Sequence, residues 1–152
     1  MKNHWLWVAH EDSWADSQGD DLDLGRGAAA TEDTGWTCDP AARPNDLVLL
    51  YRTAPRMDVK YLFEVTSEPR PRPARSGTGH PGSERLAGEP ECGWRSLASF
   101  DAPLTIREMR NDQVLKDWNA LRLNFQGRSF PVPHEVWARL IGELTRRSWV
   151  DA

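Results

Sequence analysis

Two neighbouring runs constrain this chain more than anything else in it. Asp46-Leu47-Val48-Leu49-Leu50-Tyr51 is almost wholly apolar. Asp58 to Ser67 alternates, with Val59, Tyr61, Phe63 and Val65 on one face and Lys60, Leu62, Glu64 and Thr66 on the other. A period of two is the signature of a strand, and a short unbroken apolar run suits a strand covered on both faces. Between them Ala54-Pro55-Arg56-Met57-Asp58 is turn chemistry, so the pair is predicted as an antiparallel hairpin whose first strand is central.

The rest of the chain is read around that hairpin. His4-Trp5-Leu6-Trp7-Val8-Ala9 is a further strand, with Trp5 and Trp7 on one face and Leu6 and Val8 on the other. Residues 12–34 are acidic, rich in small residues and without apolar period, and are expected to be a mobile loop holding at most one helical turn. Residues 68–91 are rich in Pro, Gly and Arg, too poor in apolar surface to offset their ordering entropy, and are expected to be flexible. Cys92 to Phe100 resumes as a strand. Thr105 with Glu108 three residues on is a capping box that opens a short helix. Gln113 to Leu121 is short helix or irregular, and Leu123 to Val132, with Gln126-Gly127-Arg128 at its turn, is predicted as a final hairpin. Val136, Trp137, Leu140, Ile141 and Leu144 share one face of a closing helix. The 152 residues fit one domain, spanning 1–152. Strands outnumber helices and do not alternate with them, which predicts an α+β fold with a β-barrel of about five to six strands and peripheral helices.

Eight Trp against two Tyr is a skewed aromatic set. Trp36, in the turn Gly35-Trp36-Thr37-Cys38 ahead of the apolar strand, is the one least suited to a core, and flat aromatic surfaces grip unstacked bases. Trp5, Trp7, Trp94 and Trp137 are expected in the core, while Trp118 could line a pocket or cover the barrel. The net charge of −4 argues against a dedicated polyanion binder. Its acidic excess is concentrated early, however: residues 1–50 hold three Lys or Arg and ten Asp or Glu, against sixteen and thirteen in the remainder. Cys38 and Cys92 lack a second pair, so no zinc framework is expected. Free thiols are expected over a bridge.

Taken in order, Trp5-Leu6-Trp7-Val8, then Trp36, then Arg43-Pro44-Asn45-Asp46-Leu47-Val48-Leu49-Leu50-Tyr51 and Leu62-Phe63-Glu64-Val65 resemble the EVE family. That family is a branch of the PUA-like superfamily, to which the YTH readers of methylated adenine also belong. The likeness continues through Trp94, Phe100-Asp101-Ala102-Pro103-Leu104-Thr105-Ile106, the run Asn119-Ala120-Leu121-Arg122-Leu123-Asn124-Phe125-Gln126 (resembling a Leu-Arg-containing strand) and Pro133 to Leu144. Asn45 stands where the family commonly has Gly, a change Asn tolerates because it also accepts positive φ.

The resemblance implies a PUA-like barrel whose aromatic pocket takes a flipped modified base, a modified cytosine of the 5-methyl or 5-hydroxymethyl type in DNA foremost. A modified RNA base, or a protein-interaction module with a vestigial pocket, is the alternative. It implies Trp36 as the pocket wall and the end of the first strand, His10, Glu11 and Asp12, as the source of a polar group for the base edge. Backbone groups of Trp36 and Thr37 complete that edge, with Trp118 and Asn119 as further candidates. Arg122, Asn124, Gln126 and Arg128 alternate along the expected strand and would face the nucleic-acid backbone. Arg70, Arg72, Arg75 and Arg85 could clamp a backbone from the flexible loop. Aromatic stacking would supply roughly 1–3 kcal/mol per base.

Enzymatic readings find no support in sequence. There is no Gly-rich phosphate loop or nucleophile elbow, and His4, His10, His80 and His134 are scattered. A non-catalytic binder without cofactor or metal is expected, monomeric, with a nuclease or other defence protein as a conceivable partner. No signal peptide and no apolar run of the roughly 20 residues needed to span a bilayer is apparent. The expected location is the cytoplasm.

Overall fold

The computed structural model describes residues 3–21, 24, 35–71 and 89–150, save for the side chains of Asp12 and of residues 148–150. Its elements follow in chain order: β1 (His4–Ala9), α1 (Glu11–Trp14), β2 (Trp36–Thr37), β3 (Leu47–Arg52), β4 (Asp58–Val65), β5 (Arg70–Pro71), β6 (Pro90–Cys92), β7 (Trp94–Thr105), α2 (Ile106–Arg110), a 3-10 turn at Leu115–Asp117, α3 (Asn119–Arg122), β8 (Ser129–Pro131) and α4 (His134–Val150). They form a five-stranded sheet in the order β7-β4-β3-β1-β8 and a three-stranded sheet in the order β2-β6-β5.

The apolar strand β3 is central, as expected, with antiparallel β4 on one side and parallel β1 on the other. Burial on both faces explains its composition. The hairpin from β3 to β4 forms as predicted, and Asn45 adopts the positive φ of 76° that its place ahead of β3 requires. Thr105 caps α2 in the anticipated reciprocal box with Glu108. The architecture is α+β, as expected. Its large sheet stays open between the β7 and β8 edges, where a closed barrel was expected.

Alternation along the strands sorts side chains into two cores. Leu6, Val8, Leu49 and Tyr51 face a cluster closed by the helical elements through Met109, Leu115, Trp118, Leu121, Phe125, Trp137, Leu140 and Leu144. Trp5, Trp7, Ala9, Val48, Leu50, Tyr61 and Phe63 face the opposite way, against Trp14, Leu24, Trp94 and the small sheet's Cys38 and Cys92. We call these the helical face and the tryptophan face.

Several sequence expectations are corrected here. Val59 lies on the helical face, apart from Tyr61, Phe63 and Val65, because the β4–β7 register shifts between Val59 and Tyr61 and a bulge swaps side-chain faces. Residues 119–122 are helix and 123–128 a turn, with Asn124 and Phe125 at positive φ of 58° and 53°. Ala120 and Leu121 in the helix and Phe125 in the turn are buried there, and Leu123 is exposed, so the burial does not alternate as a strand would require. Residues 129–131 then pair with β1, not with a hairpin partner.

Where the 12–34 stretch begins, α1 is the one helical turn anticipated, but its Trp14 is buried in the tryptophan face together with Leu24, and the expected mobility of 22–23 and 25–34 lies outside the described residues. The ends of the 68–91 stretch pair as β5 and β6, and the expected flexibility of 72–88 lies outside the described residues. Finally, Cys38 and Cys92 form a disulfide with their Cα atoms 6.0 Å apart. The pairing of β2 with β6 brings together two residues 54 apart in sequence, which spacing alone could not show.

Candidate functional site

Trp36 lies on β2, directly opposite Cys92 of β6, and is half-buried. Its ring is nearly parallel to Trp7, 10° apart with centroids 6.2 Å distant. Trp94 and Phe63 meet it edge-on at 5.7 and 5.9 Å. The ring thus rests on the tryptophan face with part of its surface left to solvent. Edge-to-face contact suits the opposed charges of ring face and ring rim, so two neighbours fix the indole plane.

Gly35 permits this placement. A Cβ there would stand 2.5 Å from Cδ of Glu91, a carboxylate buried beneath the turn. A larger residue there would require the Glu91 carboxylate to shift. Thr37, opposite Glu91 in the ladder, is half-buried beside Trp36.

At the C-terminal end of β1 the chain turns through His10 into α1. His10 and Glu11 are exposed, and the side chain of Asp12 lies outside the described residues. The buried member of this helix is Trp14, which sequence reading placed in a mobile loop. The guanidinium carbons of Arg52 and Arg56 each lie 5.5 Å from the centre of its ring. Arg52 is itself buried and grips Asp58 with two hydrogen bonds of 2.8 Å. Asp21 joins the two arginines, accepting from Arg52 at 3.0 Å and from Arg56 at 2.9 Å. Burial opposes the Asp21 charge, but hydrogen bonds from Arg56 and Arg52 outweigh it and hold the carboxyl below its ordinary range. The signal that could have found this latch was a Trp flanked by acids, facing two Arg in the next hairpin.

The indole nitrogens on this face differ. Trp5 donates to Asp46 at 2.9 Å, and Asp46 also accepts from the backbone of Asn3 and Arg43. Nε1 of Trp7 and of Trp14, with Oγ of Ser129, are buried and have no hydrogen-bond partner.

The remaining predicted positions are not gathered here. Trp118 belongs to the helical cluster, edge-on to Phe125 at 5.3 Å, and Asn119 begins α3 beside it, so both are separated from Trp36 by the sheet. Arg122, Asn124, Gln126 and Arg128 are exposed but share no strand face, since they occupy a helix end and a turn. Asn124 accepts from Arg110. The carbonyl of Arg128 accepts from Val8 of β1 at 2.9 Å. Arg70 is exposed on β5, while Arg72, Arg75 and Arg85 lie outside the described residues.

No family model matches the sequence, and no curated protein resembles it in sequence. Solved structures do match in shape. The DUF55 domain of human thymocyte nuclear protein 1 superposes with a TM-score of 0.68 at 14% identity, over 93% of this chain and 98% of that one. The fold is that of a DUF55, or EVE, domain. The human protein in complex with 5-methylcytosine-containing DNA gives 0.67 at 13% identity, over 94% and 98%. A protein from Agrobacterium tumefaciens gives 0.67 at 16% identity, over 93% and 92%. At these identities the EVE likeness concerns the path of the chain, so the chemistry of the face has to be argued from its own residues. No helix among the described residues is long and apolar enough to cross a membrane.

Proposed function

We propose that this protein reads a modified nucleobase turned out of a nucleic-acid strand, with a 5-methyl- or 5-hydroxymethylcytosine in DNA as the ligand class. The observation that carries this reading is Trp36: a half-buried indole held edge-on by Trp94 and Phe63 and nearly parallel to Trp7. A flipped base must regain the stacking it loses, and an aromatic wall returns roughly 1–3 kcal/mol of it. The human protein of the same fold, bound to 5-methylcytosine-containing DNA, supports the choice of ligand class.

In this reading the backbone of Trp36 and Thr37 lines the mouth, with His10, Glu11 and Asp12 on its rim, and Arg128 and Arg70 offer charge to the phosphates. Arg122 at the end of α3, and Asn124 and Gln126 in the turn, precede Arg128. The protein acts as a monomeric, single-domain binder without chemistry of its own. With a net charge of −4, backbone attraction is weak, so affinity depends on the base more than on the polyanion.

Fluorescence anisotropy at fixed moderate salt tests the proposal, with labelled oligonucleotides carrying one cytosine, 5-methylcytosine, 5-hydroxymethylcytosine or N6-methyladenine. A modified cytosine should bind best. Trp36→Ala should weaken it by about tenfold or more, the loss of one stacked base, while far-UV circular dichroism keeps the wild-type form. Equal affinity in the variant removes Trp36 as the wall. Preference for the RNA version of the same oligonucleotides transfers the assignment to an RNA reader.

A further inference from the structure

We infer that the edge of the bound base is read by the indole N–H groups of Trp7 and Trp14 and the hydroxyl of Ser129, a set that accepts a cytosine-type edge and rejects a thymine-type one. The inference rests on the base-reader reading above and assigns it new residues.

Among the described residues, three buried side-chain polar atoms lack a hydrogen-bond partner: Nε1 of Trp7, Nε1 of Trp14 and Oγ of Ser129. They are not spread through the molecule. Trp7 and Trp14 belong to the tryptophan face, and Ser129 is the cross-strand partner of Trp7. Residues directly opposite in an antiparallel pair point to the same side of the sheet. All three therefore belong to the side on which Trp36 rests, and the helical side holds none of them.

Buried donors are nearly always paired, because an unpaired one forfeits its hydration. Trp5 shows the ordinary solution on the same strand, two residues from Trp7, with Asp46 placed to receive its N–H. Three exceptions on one face, next to a half-exposed aromatic wall, are groups whose partners arrive with a ligand.

The chemistry of the set narrows that ligand. An indole nitrogen only donates, whereas a hydroxyl donates or accepts. The Watson–Crick edge of cytosine carries two adjacent acceptors, O2 and N3, and one donor, the N4 amine. Two indoles on the acceptors and the hydroxyl on the amine leave nothing unpaired. Thymine places an N3–H between its two carbonyls, so a donor would face a donor. A 5-methyl group is common to 5-methylcytosine and thymine, and an aromatic wall alone does not separate them. Sites built to pair a polar edge reject an isostere that cannot pair far more strongly than apolar pockets reject a missing methyl.

The test uses single-stranded oligonucleotides identical except for one central 5-methylcytosine or thymine, measured by anisotropy with the full chain. Wild type should prefer 5-methylcytosine at least tenfold, and Ser129→Ala should weaken both strands while the preference persists, because the indole donors still oppose the thymine N3–H; unchanged affinity in Ser129→Ala overturns the hydroxyl's part. In 15N-resolved spectra the indole N–H signals of Trp7 and Trp14 should move on adding the 5-methylcytosine strand, with that of Trp5 unmoved. This readout needs no core substitution and so survives any folding defect of a Trp variant. Equal affinity for the two strands, both lost in Trp36→Ala, overturns the edge assignment and leaves the base reader standing. Unmoved Trp7 and Trp14 signals during saturable binding overturn it as well. Binding of neither strand overturns the reader and this inference together.

Discussion

Asp46 illustrates how much of this fold hangs on single side chains. It is 2% exposed and accepts three hydrogen bonds, from the backbone of Asn3 and Arg43 and from the indole of Trp5. It thereby fixes the start of β1 to the entry of β3, two strands that run parallel and share no turn. Asp46→Ala would leave three donors unsatisfied, and we expect a loss of about 3 kcal/mol, each orphaned buried group costing about 1–3 kcal/mol. Urea unfolding measures it; a loss under about 1 kcal/mol would mean water replaces the carboxylate. Asp46→Asn should fall between, because an amide oxygen can still accept. At this scale the partial exposure of Trp36 was legible in sequence, although the turn expected there is the short strand β2. The proposed edge readers were not legible. Nothing in the letters of Trp7, Trp14 and Ser129 tells that their polar atoms lack partners, because that depends on who fails to arrive in three dimensions.

At the scale of elements, β2 is only two residues long and carries Trp36, so its attachment matters more than its own ladder. The Cys38–Cys92 bridge supplies that attachment, joining the residue after β2 to the end of β6. For a sequence separation of 54, the chain-entropy estimate gives about 4 kcal/mol of stabilisation. We expect reductant, or Cys38→Ala with Cys92→Ala, to lower the urea-unfolding free energy by about 2–4 kcal/mol. Unchanged stability under reductant would show that the thiols are unbridged in solution. Such bonds persist in oxidising surroundings and are rare where thiols are kept reduced. Elements set by local chemistry were readable: the β3–β4 hairpin, the capped α2 and the amphipathic α4 all stand where periodicity put them. Elements set by distant partners were not. The β5–β6 ladder brings together two ends of a Pro-rich stretch, and the turn at 123–128 was misread as a hairpin strand because four alternating polar residues mimic one, while Asn124 and Phe125 take positive φ.

For the whole molecule, acid should act on both faces in one window. Asp21 beside Trp14, and Glu108 and Asp112 on the helical side, are all held below their ordinary range. Burial pushes each carboxyl up, and hydrogen bonds pull it further down: from Arg56 and Arg52, from Thr105 and Arg147, and from Arg139 with the backbone of Val114 and Leu115 respectively. A carboxyl more acidic in the folded state adds stability that is complete above its unfolded pKa, about 3.9–4.3, and is lost as pH falls through the folded value. Thermal midpoints should hold from neutrality to about pH 5 and drop below about pH 4. Asp21→Asn should lower the plateau and flatten the drop, and a curve identical to wild type would remove the latch from the account. The sheet that separates the two faces has a consequence of another kind. Leu6 and Trp7 are adjacent in the chain yet answer to different neighbours, one to the helices and the other to the tryptophan face. In the reading proposed above, changes at odd positions of β1 would redirect recognition while even positions keep the helices seated, so such an architecture would exchange its ligand without being rebuilt.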